Sequence, residues 1–294
     1  MPAPARGLQP RLGPRLRAVL VAAVVATAGG ALTAAPASSA VVDVSPPGAN
    51  DWSCRPTAEH PEPVVLVHGT FEDMLKNWST LAPVLADQGY CVFALNYGDN
   101  ATGPVADSAR ELAPFVDAVL AATGAKEVDV VGHSQGGMMP RYWIQFLGGA
   151  KKVDDLVGIA PSNHGTQGLI VPLGEGTTTG LVGGTQTPCQ ACVEQQAGSP
   201  FLQELNAHGD TVRGVDYTVI STRYDEVVTP YTSQFLAGDA SAVTNLTIQD
   251  LCPADPIEHD QTPNDPVVHQ LVTAALEADG PAPATVQPAC VPLT

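Results

Sequence analysis

Short apolar runs alternate with amphipathic stretches along most of the chain. Runs with the length and composition of buried strands occupy residues 63–67, 90–95, 128–131, 156–160 and 216–221, with a weaker one near 244–248. Apolar residues recur at helical spacing within residues 78–88, 106–123, 136–147 and 267–278. Strands that alternate with helices predict an α/β fold with a mostly parallel central sheet and helices on both faces.

One segment, residues 165–187, departs from this alternation. It is rich in Gly and Thr, and its interspersed apolar residues are Leu169, Ile170, Val171, Leu173, Leu181 and Val182. A loop of this length inside a compact domain usually has a function or moves. We therefore expect a Gly-rich loop near the functional site, and we interpret its apolar residues as a hypothetical substrate-binding wall or partial lid.

The N-terminus has the composition of a secretory signal peptide. A basic start without acidic residues precedes an apolar run at 18–28, and small residues then lead to Ser38-Ser39-Ala40. A retained membrane anchor is the alternative, but the run is short for a span. The sequence predicts a cleaved segment 1–40, an extracellular mature chain 41–294 forming a single domain, and no stable membrane anchor.

Charge narrows the range of partners. Residues 1–40 hold four of the thirteen basic residues and no acidic one, so the mature chain carries nine basic and thirty acidic residues, a net charge of −21. Such a charge disfavours nucleic acid and anionic membranes as partners and is typical of a soluble extracellular protein. We expect a monomer.

All six cysteines lie in the mature chain. An even count in an exported protein suggests disulfides, although spacing alone leaves 15 pairings open. The Cys189-x-x-Cys192 pair could also be a redox motif or half of a zinc site. The sequence has no second CxxC and no suitably spaced His pair, so we expect no metal and favour a structural disulfide.

The segment Gly132-His133-Ser134-Gln135-Gly136 has the G-x-S-x-G pattern. A β-type run precedes it directly and a helical stretch follows directly, which is the context of a nucleophilic serine on a sharp strand-to-helix turn. Glycines two residues before and after the serine allow the close approach of neighbouring backbone. Ser134 is therefore the candidate nucleophile, and a chance turn is the alternative.

A serine hydroxyl is a weak nucleophile and needs a base that an acid orients. The expected chain order is Ser, acid, His. Asp225 follows the run at 216–221, with Glu226 as its local rival. His259 lies between the last strand and the last helix, whereas His269 falls inside that helix, where a histidine is more often structural. We predict Asp225 and His259.

The negative charge that develops on an attacked carbonyl oxygen needs preset N–H donors. One candidate is the backbone N–H of Gln135, directly after the nucleophile. A second should come from the turn that ends the first strong strand, His68-Gly69-Thr70. We predict an oxyanion hole formed by Thr70 and Gln135, with an ordinary strand-ending turn as the alternative.

Several segments together resemble the secreted triacylglycerol lipases of actinobacteria and, more distantly, the yeast lipase B type. They are Val-Leu-Val-His-Gly-Thr70, Ala94-Leu-Asn-Tyr-Gly98, Gly132-His-Ser-Gln-Gly-Gly-Met-Met-Pro-Arg141, Ala160-Pro-Ser-Asn-His-Gly165 and Tyr224-Asp-Glu-Val-Val-Thr-Pro230. The resemblance runs from about Cys54 to the C-terminus. It implies an α/β-hydrolase fold, ester hydrolysis without a cofactor, and the Ser134, Asp225 and His259 triad.

The resemblance also implies finer features. In the lipase B type the position that matches Thr70 donates to the oxyanion through both backbone and hydroxyl. The family pattern further suggests three disulfide pairs: Cys54–Cys91, Cys252–Cys290 and, as the remaining pair, Cys189–Cys192.

These observations predict a secreted lipase or carboxylic ester hydrolase that takes a lipid or other acyl ester through an acyl-enzyme intermediate. Four alternatives remain: an esterase for small soluble esters, a cutinase-like polyester hydrolase, an acyltransferase on the same triad, and a non-catalytic binding module.

Overall fold

The computed structural model describes residues 44–290 except 168–170, 173–178 and 183–184, and it describes only the backbone for the remainder of 171–188. The predicted signal peptide lies outside the described residues. The described residues all belong to a compact unit that spans Asp43–Thr294.

The described residues form nine strands in two sheets. They are β1 (Val64–Val67), β2 (Val92–Leu95), β3 (Val128–His133), β4 (Val153–Ile159), β5 (Val171–Pro172), β6 (Thr179–Val182), β7 (Thr185–Pro188), β8 (Asp216–Ser221) and β9 (Val243–Thr247). Six of them make a sheet of order β2-β1-β3-β4-β8-β9, in which every neighbouring pair is parallel. The carboxyl ends of these strands therefore meet along one edge of the sheet.

Helices connect most of the parallel strands. They are α1 (Met74–Trp78), α2 (Leu81–Asp87), α3 (Gly98–Ala101), α4 (Val105–Thr123), α5 (Gln135–Phe146), α6 (Gln190–Glu194), α7 (Pro200–Asn206), α8 (Ile248–Leu251) and α9 (Pro266–Leu276). Local chemistry explains several ends: α4 stops at Gly124, with φ of 78°, and the Asp265 side chain caps the start of α9. Among the described residues, no helix has the length and hydropathy needed to cross a membrane.

The sheet is buried on both faces because its strands alternate their side chains between two cores. Val65 and Val67 of β1 pack into one core, which α4 and α5 cover, and Val64 and Leu66 pack into the other, which α2 and α9 cover. The predicted parallel sheet with helices on both faces is confirmed.

The sequence predicts a loop over residues 165–187, but the described part of this segment contains strands. Strands β5, β6 and β7 form a small antiparallel sheet, in which Val182 pairs with Thr185. The sequence places Gly183-Gly184 between two runs of β-favouring Thr and Val, and this is a hairpin signal that explains the pairing.

Three disulfides tie distant and local parts of the chain. They join Cys54 to Cys91, Cys189 to Cys192 and Cys252 to Cys290, the three pairs that the family resemblance implies. The first links the segment before β1 to the start of β2, and the third links the end of α8 to the C-terminal segment. The second closes the first turn of α6.

Candidate active site

Ser134 lies on a sharp turn between β3 and α5, at the carboxyl edge of the sheet. Its backbone has φ of 55° and ψ of −122°, which is strained for a residue with a side chain. The flanking glycines permit the turn: a Cβ on Gly132 would lie 1.9 Å from the carbonyl oxygen of Gly136, and one on Gly136 would lie 2.1 Å from that of Val67. The turn therefore presents the Ser134 hydroxyl above the sheet.

The structure brings the three candidate catalytic residues together from distant parts of the chain. The Ser134 Oγ lies 3.0 Å from Nε2 of His259, and Nδ1 of the same ring lies 2.7 Å from Oδ2 of Asp225. All three side chains are buried. With Nδ1–H donating to Asp225, Nε2 faces the serine as an acceptor, which is the tautomer that a general base requires.

Asp225 is held by more than the histidine. Its Oδ1 accepts hydrogen bonds from the backbone N–H groups of Val227 (2.9 Å) and Val228 (2.7 Å), and its Oδ2 also accepts from Nε2 of Gln234 (2.8 Å). These donors fix the orientation of the carboxyl group. Gln234 is fully buried, and sequence reasoning missed it because no local motif marks it.

The rival residues lie elsewhere. Glu226 points into solvent. The His269 ring donates from Nε2 to the carbonyl oxygen of Pro263, 2.8 Å away, and burial lowers its pKa. It thereby links α9 to the short 3₁₀ helix His259–Asn264 that holds the candidate base.

The two predicted oxyanion donors flank the nucleophile from different elements. Gln135 is the first residue of α5, so its backbone N–H has no acceptor within the helix. The backbone N–H of Thr70, in the turn after β1, likewise has no acceptor among the described residues. Both groups remain free to donate to a negatively charged oxygen near Ser134, and the N-terminal end of α5 adds a favourable dipole.

The hydroxyl of Thr70 has a different partner from the one the resemblance implies. It donates to Oε1 of Gln135 at 2.7 Å, so this side chain takes up the hydroxyl hydrogen. Gln195, just after α6, donates from Nε2 to Thr70 Oγ1 (3.0 Å) and to Gln135 Oε1 (2.9 Å), and its Oε1 accepts from Ser162 (2.7 Å). Gln195 thus bridges the two residues predicted to form the oxyanion hole, and no sequence motif marks this role.

Two more buried histidines lie at the same edge of the sheet. The His133 ring is tilted against that of His259, with centroids 4.9 Å apart, and burial followed by the charge of His259 lowers the pKa of His133 well below the ordinary value. Burial lowers the pKa of His68 to about 4, against a hydrogen bond from its ring to the carbonyl of Gly69. Both rings are therefore uncharged near neutral pH, so neither adds a positive charge that would oppose protonation of His259.

A pocket of about 250 Å³ opens onto the nucleophile. Its lining in the described chain is mixed, with Phe71, Val227 and Val228 as apolar members and the ion pair of Lys76 and Glu72 (2.7 Å) at the rim. Of the six apolar residues proposed for substrate binding, Leu169, Ile170 and Leu173 lie outside the described residues. For Val171, Leu181 and Val182 only the backbone is described.

Comparison with known proteins assigns the chain to a family. The family model described as "Lipase (class 2)" matches residues 61–272. A triacylglycerol lipase of Pseudarthrobacter phenanthrenivorans is 38% identical over 92 residues, which cover 27% of this chain and 27% of that protein. A triacylglycerol lipase of Vibrio cholerae serotype O1 is 33% identical over 143 residues, 41% of this chain and 42% of that protein. The matched regions thus span less than half the length of either relative.

Solved structures extend the comparison to the fold. The structure of Aspergillus fumigatus lipase B superimposes with a TM-score of 0.66 at 22% identity, over 86% of this chain and 64% of the fungal chain. This likeness confirms the predicted α/β-hydrolase fold. Because the family model covers most of the chain and includes both Ser134 and His259, the chain belongs to the class 2 lipase family.

Proposed function

We propose that this protein is a secreted lipase or carboxylic ester hydrolase that cleaves acyl esters through Ser134, His259 and Asp225. The observation that carries the proposal is the continuous hydrogen-bond chain from the Ser134 hydroxyl through both ring nitrogens of His259 to a buried carboxylate. The names of the related triacylglycerol lipases support a lipid ester as substrate.

Acylation is the first half of the reaction. Nε2 of His259 takes the proton of Ser134 as the serine oxygen attacks the ester carbonyl carbon. The carbonyl electrons move onto its oxygen, where the backbone N–H groups of Thr70 and Gln135 stabilise the charge. The carbonyl re-forms, the bond to the alcohol oxygen breaks, and His259 returns the proton to the departing alcohol.

Deacylation uses the same groups. His259 takes a proton from water as the water oxygen attacks the acyl carbon, and the oxyanion again lies against Thr70 and Gln135. The acyl–oxygen bond to Ser134 then breaks, and His259 returns the proton to the serine. Asp225 holds the imidazole tautomer and stabilises its cation during both halves. No step requires a cofactor.

A serine-directed fluorophosphonate provides the first test. The mature chain should gain the mass of one phosphonyl group, mapped to the peptide that contains Ser134, and should lose ester hydrolysis in proportion. The Ser134→Ala variant is the matched control and should neither label nor hydrolyse. Stoichiometric labelling at another serine, or full activity in Ser134→Ala, would contradict the assignment.

Hydrolysis rates on a series of esters test the proposed substrate class. Hydrolysis of p-nitrophenyl esters from C2 to C16 and of emulsified triacylglycerol is expected to favour the lipid esters. A preference for short soluble esters would indicate an esterase, and release of soluble products from a polyester film would indicate a cutinase-like enzyme. Analysis of products with and without added alcohol separates hydrolysis from acyl transfer.

Secretion and the domain boundary form part of the same proposal. The three disulfides favour an oxidising compartment, in agreement with the composition of residues 1–40. Expression of the full chain in a secreting host should place the protein in the medium with a mature N-terminus close to residue 41. Retention of the uncleaved chain in the cell membrane would contradict secretion.

A further inference from the structure

Three carboxylates gather at the amino edge of the sheet, opposite the catalytic edge. Asp129 is the second residue of β3, and Asp154 and Asp155 are the second and third residues of β4. One oxygen of each lies within 4.8 Å of the others. Within the described part of the chain, this is the one such group of potential metal ligands.

An irregularity in strand pairing produces this arrangement. Val128 pairs with Val153, but the next pair is Val130 with Leu156, so Asp129 alone faces two residues of β4. Consecutive side chains on a regular strand point to opposite faces. The extra residue changes the direction of one side chain, so that both carboxylates of β4 approach that of Asp129.

Asp155 is buried without a hydrogen-bond partner for one of its oxygens. Its side chain points into the group of three, it is 4% exposed, and its Oδ1 accepts no hydrogen bond from any described residue. The backbone N–H of Asp155 donates to Oδ1 of Asp129 (3.3 Å), so this hydrogen bond gives a partner to Asp129 and not to the Asp155 carboxylate. A buried carboxylate oxygen without a partner is costly, so the packing of the protein alone leaves this arrangement unexplained.

The electrostatic surroundings add negative charge. Glu62 lies close enough to Asp129 to add to the negative charge around it. Among the described residues, none of the three carboxylates forms an ion pair with a basic side chain. The nearby Lys152 pairs with Asp117 instead.

We propose that Asp129, Asp154 and Asp155 bind a divalent cation, best matched by Ca²⁺, that ties β3 to β4. The three ligands are hard oxygen donors, which suit Ca²⁺ or Mg²⁺ rather than zinc or copper. Oxygens on one Ca²⁺, at about 2.3–2.6 Å, can lie up to about 5 Å apart, so the observed spacing needs no contraction. Asp154 is partly exposed, which gives the ion and its water ligands access from solvent.

Titration with CaCl₂ tests the site on the mature chain after treatment with EDTA. Calorimetry should detect one saturable site, and at a 100-fold excess over Kd the melting temperature should rise by about 5 °C or more. The Asp154→Asn and Asp155→Asn variants should each weaken Ca²⁺ binding at least tenfold. Titration with MgCl₂ should give the smaller shift.

Glu127→Gln is the matched control, because it removes one negative charge beside β3 and leaves the three ligands intact. It should retain the binding and the thermal shift. Equal Ca²⁺ affinity in all three variants would show diffuse binding to an acidic surface and overturn the proposal. So would the absence of binding together with a higher melting temperature in Asp155→Asn, which would indicate carboxyls that share a proton.

The readouts are binding and melting temperature, so this test does not depend on the esterase proposal. Ser134→Ala should bind Ca²⁺ as the parent chain does. Failure of the metal site and failure of the catalytic assignment are therefore distinguishable.

Discussion

At the carboxyl edge of the sheet, Ser134, His259 and Asp225 form an unbroken hydrogen-bond chain that Gln234 continues. At the amino edge of the same sheet, Asp155 is equally buried but has an oxygen without a partner. Both edges place carboxylates inside the protein. The comparison teaches that buried carboxylates can have opposite surroundings: hydrogen-bond donors surround Asp225 at one edge, whereas Asp155 at the other edge lies among acidic neighbours.

The partners of Asp225 provide the strongest test of this comparison. Asp225→Asn keeps the shape but replaces an acceptor with an amide that can donate, which favours the wrong tautomer of His259. We expect kcat to fall by about 10⁴ with little change in melting temperature. Steady-state hydrolysis of a soluble ester tests the expected fall in kcat, and a melting curve of the same variant tests the expected melting temperature.

Glu226→Gln is the matched control, because it changes the neighbouring acid that points into solvent. It should retain the parent rate. A large loss in Glu226→Gln with near-normal rates in Asp225→Asn would reverse the assignment of the acid.

Gln195 provides a smaller test at the same edge. Its side chain holds Thr70 and Gln135, so Gln195→Ala should loosen both oxyanion donors without removing either one. Loss of a direct donor costs about 10²–10³ in kcat, and loss of its positioning should cost less, about tenfold, with KM nearly unchanged.

Gln203→Ala is the control for this change, because Gln203 is exposed on α7 and lies outside the pocket. It should leave both kinetic constants unchanged. A rise in KM at constant kcat in Gln195→Ala would place Gln195 in substrate binding instead of oxyanion positioning.

The two edges also differed in how far the sequence could predict them. The turn at Ser134 is encoded locally, because the glycine spacing, the preceding strand and the following helix all lie within a few residues. The fold was predictable for the same reason, since buried strands and amphipathic helices have distinct periods. The choice of His259 over His269 stays a prediction, and the structure places the His259 ring, in the loop before the last helix, beside Ser134.

Features that depend on contacts between distant parts of the chain, or on strand register, were not predictable. Gln195 and Gln234 act through residues far away in the chain, and glutamine has no local pattern that marks such a role. The carboxylate group at the amino edge depends on one unpaired residue in the ladder between β3 and β4, and a single sequence does not reveal strand register. The hairpin within 165–187 is different, because Gly183-Gly184 is a local turn signal between two β-favouring runs.

Acid stability is the test with the smallest expected effect, and it concerns only the carboxyl edge. His68 is fully buried there, and burial lowers its pKa to about 4, whereas an unfolded histidine has a pKa of about 6.5. Below that value the unfolded chain binds a proton that the folded chain excludes, so stability present at pH 7 is lost as the pH falls. Between pH 7 and pH 5 the protonation of this histidine in the unfolded chain should lower the free energy of unfolding by about 1–2 kcal/mol, which is a few degrees in melting temperature.

The His68→Asn variant should lose less stability over that pH interval than the parent chain, even if its melting temperature at pH 7 is lower. The control variant His208→Asn, at an exposed position, should lose as much stability as the parent chain. Melting curves at pH 7, 6 and 5 in buffers of equal ionic strength give the comparison, and parallel losses in both variants would place the acid sensitivity at other groups.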